Sequence, residues 1–389
     1  MSVATRLRPF GTTVFSRMTQ LAVEHQAINL SQGFPDFEGP AFIREAAAQA
    51  MAEGHNQYAR SAGVTELAKA VAGHQKRHYD IDLNPMTQVG VFCGATEAMM
   101  AATLGLLEPG DEVLTFEPHY DAYPAAAAMA GARLRFVTLR HPDFALDVEA
   151  LARAIGPKTR ALLLNTPHNP TGKVFAREEL DALAGLAKKH DLMVLSDEVY
   201  EHLWFEAPHV PIATLPGMFE RTVTMSSFGK TFSFTGWKVG WASGPESLMS
   251  ALCSAHQFIT FCSATPLQHA AARALDELGE NFYRDFRAAY AERRAHLLTT
   301  LRAVGLKAPD PQGAYFALAD IRAVTEKDDV EFCAELTERV GVAAIPPSAF
   351  YSLDKKEGAH LCRFAFCKTM DTLNAARSKL WAGLPRVDP

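Results

Sequence analysis

From about residue 89 the chain alternates short apolar runs with stretches of helical periodicity. The runs are VGVFC (89–93), EVLTF (112–116), RLRFVTL (133–139), RALLLN (160–165), DLMVLSD (191–197) and RTVTMSS (221–227). Most are apolar nearly throughout rather than alternating, which is the pattern of strands buried on both faces. ATEAMMAATLGLL (95–107), YPAAAAMAGA (123–132) and the residues before DLMVL read as helices, as does AFIREAAAQAMA (41–52) upstream. Strands alternating with helices predict an α/β protein with a mainly parallel sheet covered on both sides. In such sheets ligands bind beyond the carboxyl ends of the strands.

After about residue 285 the pattern changes. ARALDELGENFYRDF (272–286) still reads as a helix of the preceding region; beyond it a charged helix, AAYAERRAHLLTTLRAVG (288–305), leads to GAYFALADI (313–321), VAAIPPSAFY (342–351), LCRFAF (361–366) and a terminal helix. The expected division is an N-terminal arm with part of a small domain over 1–45, a large domain over 46–285, and a small α+β domain over 286–389.

Composition narrows the function classes. The 389 residues are 48% hydrophobic and 21% charged, ordinary for a globular chain that can bury a sizeable core. A net charge of −6 gives no electrostatic reason to expect nucleic acid or an anionic membrane as partner. The six cysteines show neither a CxxC pair nor zinc-like spacing, so reduced thiols and no metal are expected. No apolar run reaches the roughly 18 residues of a membrane span, and MSVATRLRPFGTTVFSRM lacks the apolar core of a signal peptide. A cytoplasmic protein is expected.

The chemistry-bearing residues fall at the strand ends. Lys230, in SSFGKTFSFTGWKVGW (226–241), follows a strand and has apolar neighbours; a desolvated lysine of lowered pKa can form an imine with a carbonyl. Asp197 ends an apolar strand, where an acid without a partner is costly, and Tyr200 follows three residues on. Gly94-Ala95-Thr96 sits where a strand turns into a helix, a place whose free N–H groups suit a phosphate. Ser227 and Lys238 can add a hydroxyl and a charge to the same anion. Tyr120 in EPHYDAY is a candidate stacking ring. Asn169 is fixed at a strand end by the prolines of NTPHNPTG (165–172). Arg363, flanked by apolar residues in LCRFAF, has the planar fork that holds a carboxylate bidentately.

These segments resemble the class I, fold-type-I pyridoxal-phosphate aminotransferases. The likeness runs from INLSQGFPDFEGP (28–40) through NQYARSAGV, GATEA, NTPHNPTG, SDEVYEH and SSFGKTFSFTGWKVGW to AAIPPSAFY and LCRFAF. It is greatest to the glutamine transaminase K and kynurenine aminotransferase branch, including bacterial methionine aminotransferase. The resemblance implies a large domain built on a mainly parallel, seven-stranded-type sheet. It implies Lys230 as the imine-forming lysine, Asp197 as partner of the pyridine nitrogen, Tyr200 and Asn169 near the cofactor's phenolic oxygen, and Tyr120 stacked on its ring. Ala95 and Thr96 through their backbone, with Ser227 and Lys238, would bind phosphate. Tyr58 would reach the phosphate of a second subunit, making a homodimer. Arg363, Asn169 and the backbone at Gly33 would hold the substrate carboxylate. Relatives often read Arg-Leu/Phe-Cys-Phe-Ala at the arginine, whereas this chain reads Arg363-Phe364-Ala365-Phe366-Cys367.

The implied reaction is ping-pong transfer of an amino group from an amino acid to a 2-oxo acid, with the Lys230 amine moving the α-proton. Phe34, Tyr58, Phe258, Phe261 and Phe350 lie in segments the family places near the substrate, and aromatic walls favour apolar, sulfur-containing or aromatic side chains. Methionine is the expected donor, with glutamine, phenylalanine and kynurenine as further candidates. β-Elimination from cysteine conjugates is the alternative outcome on the same site.

Overall fold

A computed structural model describes residues 3–384. Eleven strands form three sheets: β1 (Ile28–Asn29), β2 (Val89–Phe92), β3 (Glu112–Glu117), β4 (Arg133–Thr138), β5 (Thr159–Asn165), β6 (Met193–Asp197), β7 (Thr222–Ser227), β8 (Gly240–Ser243), β9 (Phe316–Asp320), β10 (Val342–Ala343) and β11 (Leu361–Ala365). The large sheet has the order β2-β8-β7-β6-β5-β3-β4. All its neighbours run parallel except β8, which is antiparallel to both β2 and β7.

The register lines up residues that are far apart in sequence. Asn165 pairs with Asp197, and Asp197 with Met225 two residues before Ser227. Ser227 then pairs with Gly240, and Gly240 with Phe92 just before the Gly94 turn. One edge of the sheet therefore carries the ends of β2, β5, β6 and β7 and the start of β8. Strands such as Leu162–Leu164 and Val194–Leu195 are buried on both faces by helices, including Ala95–Leu106 and Glu246–Ile259 on one side and Arg177–Lys189 on the other. Burial on both faces is why their sequences are apolar rather than alternating.

β8 has no counterpart among the runs expected from sequence. Gly240-Trp241-Ala242-Ser243 carries no β-branched residue, so local preference does not announce a strand. Pairing on both sides makes it one. The expected helical stretch at 272–286 is also broken: one helix ends at Glu277, and the next runs Glu280–Ala303, with Gly279 as its N-cap. Both expected domain boundaries fall inside helices, residue 45 within Ala41–Ala52 and residue 285 within Glu280–Ala303. A change in charge density marks a change of surroundings, not a break in the backbone.

The remaining strands build a second layer beside the sheet edge. β9 and β11 pair antiparallel, placing Arg363 opposite Leu318, and β1 pairs parallel with β10. Their shared core joins Met18 and Leu30 to Tyr290, Leu301, Phe316, Phe364 and Leu380. Among the described residues no helix is long and apolar enough to cross a membrane.

Candidate active site

A cavity of about 680 Å³ opens between the carboxyl edge of the sheet and the β9/β11 layer. Gly33, Ala95, Thr96, Tyr120, Asn169, Asp197, Tyr200, Ser227, Lys230, Lys238 and Arg363 all line it. They come from segments spread over more than 300 positions, and each lies at a strand end, within a few residues of one, or on β11.

Lys230 lies in the one-turn helix Phe228–Thr231 that follows β7. Its head is open to the cavity but otherwise enclosed by protein. Nζ donates to the Gly33 carbonyl at 3.3 Å and to Tyr315 Oη at 3.1 Å, and Tyr315 Oη in turn donates to the same carbonyl. Burial, with repulsion from Lys238 and Arg363, lowers its pKa to about 8, against the partial support of Cys367 and Asp197. At neutral pH a substantial fraction of this amine is therefore uncharged and nucleophilic.

Asp197 ends β6 and is buried. Oδ2 accepts from Tyr123 Oη at 2.6 Å. Burial raises its pKa, and the Tyr123 hydroxyl, the Val199 N–H and Lys230 oppose that rise. No salt bridge neutralises it among the described residues, so a buried carboxylate faces the cavity with room for a cationic partner.

The turn after β2 is prepared for an anion. Gly94 adopts φ +82° ahead of the helix Ala95–Leu106, whose N-cap makes no side-chain bond. A Cβ on Gly94 would lie 3.2 Å from Lys238 Nζ, so the glycine leaves room for the lysine head over the start of the helix. Gly240 is needed for a related reason: its Cβ would come within 2.7 Å of the Ala95 nitrogen. Glu97 holds the turn from behind, accepting from the Cys93 N–H at 2.9 Å and pairing with His256 Nδ1 at 2.8 Å. Ala95 and Thr96, as the first helical residues, have no carbonyl one turn back for their N–H groups, and both residues line the cavity.

Arg363 is the most informative group. Its guanidinium is 1% exposed, donating to Asn169 Oδ1 at 3.1 Å and to the Ser31 carbonyl at 2.9 Å. Nε has no partner, and no carboxylate of the described residues forms a salt bridge with it. Phe316, Phe15 and Phe350 surround it, with ring centres 4.2, 5.2 and 5.2 Å from its central carbon. Burial brings its pKa down to about 10. An arginine so enclosed normally has an anionic partner, and no carboxylate of the described residues supplies one.

Five of the expected residues do not line the cavity of the single chain. Tyr58 and Phe258 are 85% and 86% exposed, and Phe261 packs edge-on against Tyr58 at 5.3 Å. Phe34 is also exposed, its ring beneath Lys368 Nζ. Phe350 is buried behind Arg363 rather than facing the cavity. Sequence reasoning passed over Tyr123, Tyr315, Asn165 and the segment Phe10–Phe15, all at the site. Tyr123 was within reach, three residues after Tyr120 in EPHYDAY; Tyr315 and Phe10–Phe15 carry no local sign of their place.

The chain belongs to the class I and II aminotransferases; the family profile "Aminotransferase class I and II" matches residues 25–380. It is therefore an aminotransferase, with the mainly parallel α/β architecture of fold-type-I enzymes. That family depends on pyridoxal phosphate, acts on amino acids and 2-oxo acids, and is generally dimeric. The solved N-succinyldiaminopimelate aminotransferase of Mycobacterium tuberculosis superposes with a TM-score of 0.95 at 47% identity, covering 98% of this chain and 100% of that one. The methionine aminotransferase of Escherichia coli is 41% identical over 378 residues, covering 96% of this chain and 97% of the relative. The kynurenine–oxoglutarate transaminase of Dictyostelium discoideum is 38% identical over 408 residues, covering 95% and 94%.

Proposed function

We propose that the cavity binds pyridoxal phosphate and that the enzyme moves the amino group of an apolar, sulfur-containing or aromatic amino acid, methionine first, to a 2-oxo acid. The observation that carries this reading is one cavity holding an amine of pKa about 8 and a buried guanidinium without an acid partner. Lys230 is the covalent anchor. Asp197 meets the ring nitrogen and keeps its proton in place. The Ala95 and Thr96 N–H groups, Ser227 and Lys238 take the phosphate, Tyr120 covers the ring, and Asn169 and Tyr200 approach the phenolic oxygen. Bound there, the cofactor supplies a carbonyl for the amino group and a protonated ring that withdraws electrons from the α-carbon.

Arg363 fixes the substrate carboxylate, with Asn169 oriented by its Oδ1 contact to the same guanidinium. Once freed, Lys230 Nζ takes the α-proton and returns it. Tyr315 and the Gly33 carbonyl hold that amine at the cavity wall, which the Phe10–Phe15 segment also lines. Among the described lining residues Arg363 is the single guanidinium, and Phe15, Tyr120 and Phe316 supply apolar wall. Such walls favour a thioether or aromatic side chain over one ending in a second carboxylate.

The exposed aromatic group Tyr58, Phe258 and Phe261 fits a homodimer in which Tyr58 serves the second subunit's phosphate site. Sedimentation of the purified enzyme tests the dimer, and a monomer at micromolar concentration refutes it. A donor panel of methionine, glutamine, phenylalanine, kynurenine and N-succinyldiaminopimelate tests the substrate. Methionine is expected to exceed N-succinyldiaminopimelate in kcat/KM by at least about tenfold. The reverse order overturns the side-chain assignment and leaves the aminotransferase standing. Pyruvate and ammonia from a cysteine conjugate, without amino-acid product, would point to elimination instead.

A further inference from the structure

Behind the cavity, on the far side of the turn that carries Asp197 and Tyr200, lies a cluster the reaction does not use. His74 and His78 stand one turn apart on the helix Thr65–Tyr79, and Glu201 and His202 follow Tyr200 directly. His74, Glu201 and His202 are buried, and His78 is half-buried. Two histidines at i and i+4 share one helix face, the spacing by which helices present a pair of metal ligands.

The ligating atoms converge. His74 Nε2 and His202 Nε2 lie 3.1 Å apart, and Glu201 Oε2 is 3.6 Å from the first and 4.0 Å from the second. One nitrogen from each of the three histidines lies within 4.8 Å of the others. A tetrahedral zinc with bonds of roughly 2.0–2.1 Å separates its ligand atoms by about 3.3–3.4 Å, so shifts of under about 1.5 Å would close the three histidines around one ion, and Glu201, outside that group, would turn in as the fourth ligand.

Protons alone serve this arrangement poorly. A single N–H can bridge the two facing Nε2 atoms, but at 3.6 and 4.0 Å neither nitrogen is within hydrogen-bond distance of the buried Glu201 carboxylate. Glu201 then has only hydroxyl donors, Tyr79 Oη at 2.7 Å on Oε2 and Ser226 Oγ on Oε1. Each carboxylate oxygen accepts two bonds, so Oε2 keeps a lone pair while Tyr79 orients it as an outer partner orients a metal ligand. His74 Nδ1 has no partner, which leaves Nε2 as that ring's only polar contact. His78, with 17% of its side chain exposed, is the member of the cluster nearest to solvent. The molecule's other His-Asp-His group, His141, Asp320 and His360, lacks these features because Arg322 already occupies both oxygens of Asp320.

We propose that His74, His78, His202 and Glu201 form a binding site for one divalent cation of the zinc class. Its role is structural. The ion ties the helix Thr65–Tyr79 to the ends of β6 and β7, because Glu201 follows Tyr200 and Ser226 precedes Ser227. This site stands independently of which amino acid the enzyme prefers.

The test uses the tag-free holoenzyme and Zn2+ alone as the probe. After equilibrium dialysis against micromolar free zinc, one zinc per chain is expected, with a rise in Tm on the order of 2–5 °C at a large excess over Kd. Co2+ in place of zinc is expected to give the intense visible bands of a four-coordinate ion. His78→Ala, a partly buried change outside the catalytic cavity, should lower zinc affinity by about tenfold or more and abolish the cobalt bands. If wild type holds no zinc, or His78→Ala holds as much as wild type, the proposal is overturned. If His78→Ala does not fold, the wild-type stoichiometry and cobalt spectrum decide alone: absence of either overturns the site.

Discussion

Two sets of buried charges stand either side of the strand ends, and they differ in one respect. Away from the cavity, the buried Lys173 and Glu198 each meet a partner from the chain. Lys173 Nζ meets Glu179 Oε1 at 2.8 Å, and Glu179 also accepts the Ala176 N–H at the start of its helix. Glu198 accepts from Ser196 Oγ and pairs with His209 Nε2, both at 2.7 Å. One residue earlier in the chain, Asp197 has a tyrosine and a backbone N–H but no cation, and Arg363 has an amide and a carbonyl but no anion. Closed charges hold the fold. Open ones wait for a ligand, and the stability forgone by leaving them open is available to binding.

The largest effect that can test this contrast comes from Lys230. Lys230→Ala should lower multiple-turnover rate by at least about 10⁴-fold, since both the covalent anchor and the proton carrier are lost; an assay that still shows sustained cycling removes the assignment. Arg363→Ala should lower kcat/KM by about 10³-fold, and Arg363→Lys by about 10²-fold because a point charge replaces a fork. Equal activity of the lysine variant would mean that the site reads charge and not geometry.

The pH dependence of cofactor loading is the next lever. With a pKa of about 8, roughly a tenth of the Lys230 amine is neutral at pH 7, against about 0.03% for an ordinary lysine. Loading of the apoenzyme by pyridoxal phosphate should quicken about tenfold per pH unit below 8 and level off above it. Because folding lowers this pKa, the unfolded chain binds more protons between pH 8 and 10.5, so Lys230's contribution to apoenzyme stability rises with pH across that window. A loading rate that keeps climbing past pH 9.5 would return Lys230 to the ordinary range.

The smallest effect sharpens the other half of the comparison. Lys173→Met removes the partner of a partly buried carboxylate and should cost about 1–3 kcal/mol in urea unfolding, with kcat/KM changed less than about twofold. Loss of activity without loss of stability would place Lys173 with the open charges.

Much of the site could be read along the chain because its residues break local rules. Asp197 closes an apolar strand, Lys230 follows another, and Arg363 interrupts LCRFAF; each is a polar group where burial is expected. Residues that obey local rules stayed hidden. Tyr123 sits among alanines on a helix and Tyr315 precedes an apolar strand, so neither differs from a core tyrosine until the fold brings one to Asp197 and the other to Lys230. The aromatic residues Tyr58, Phe258 and Phe261 were as visible as any, but their exposure is set by which surface the chain leaves uncovered.

By itself the sequence determined the strand-and-helix alternation and the polar residues gathered at one sheet edge, because periodicity and misplaced polarity are local quantities. Tertiary structure alone decided that Gly240–Ser243 is a strand, that Arg363 has no acid partner, and that His202 lies against His74 from 128 positions away. Those depend on which groups are near in space, and proximity across a hundred residues is fixed by packing, not by neighbours in the chain.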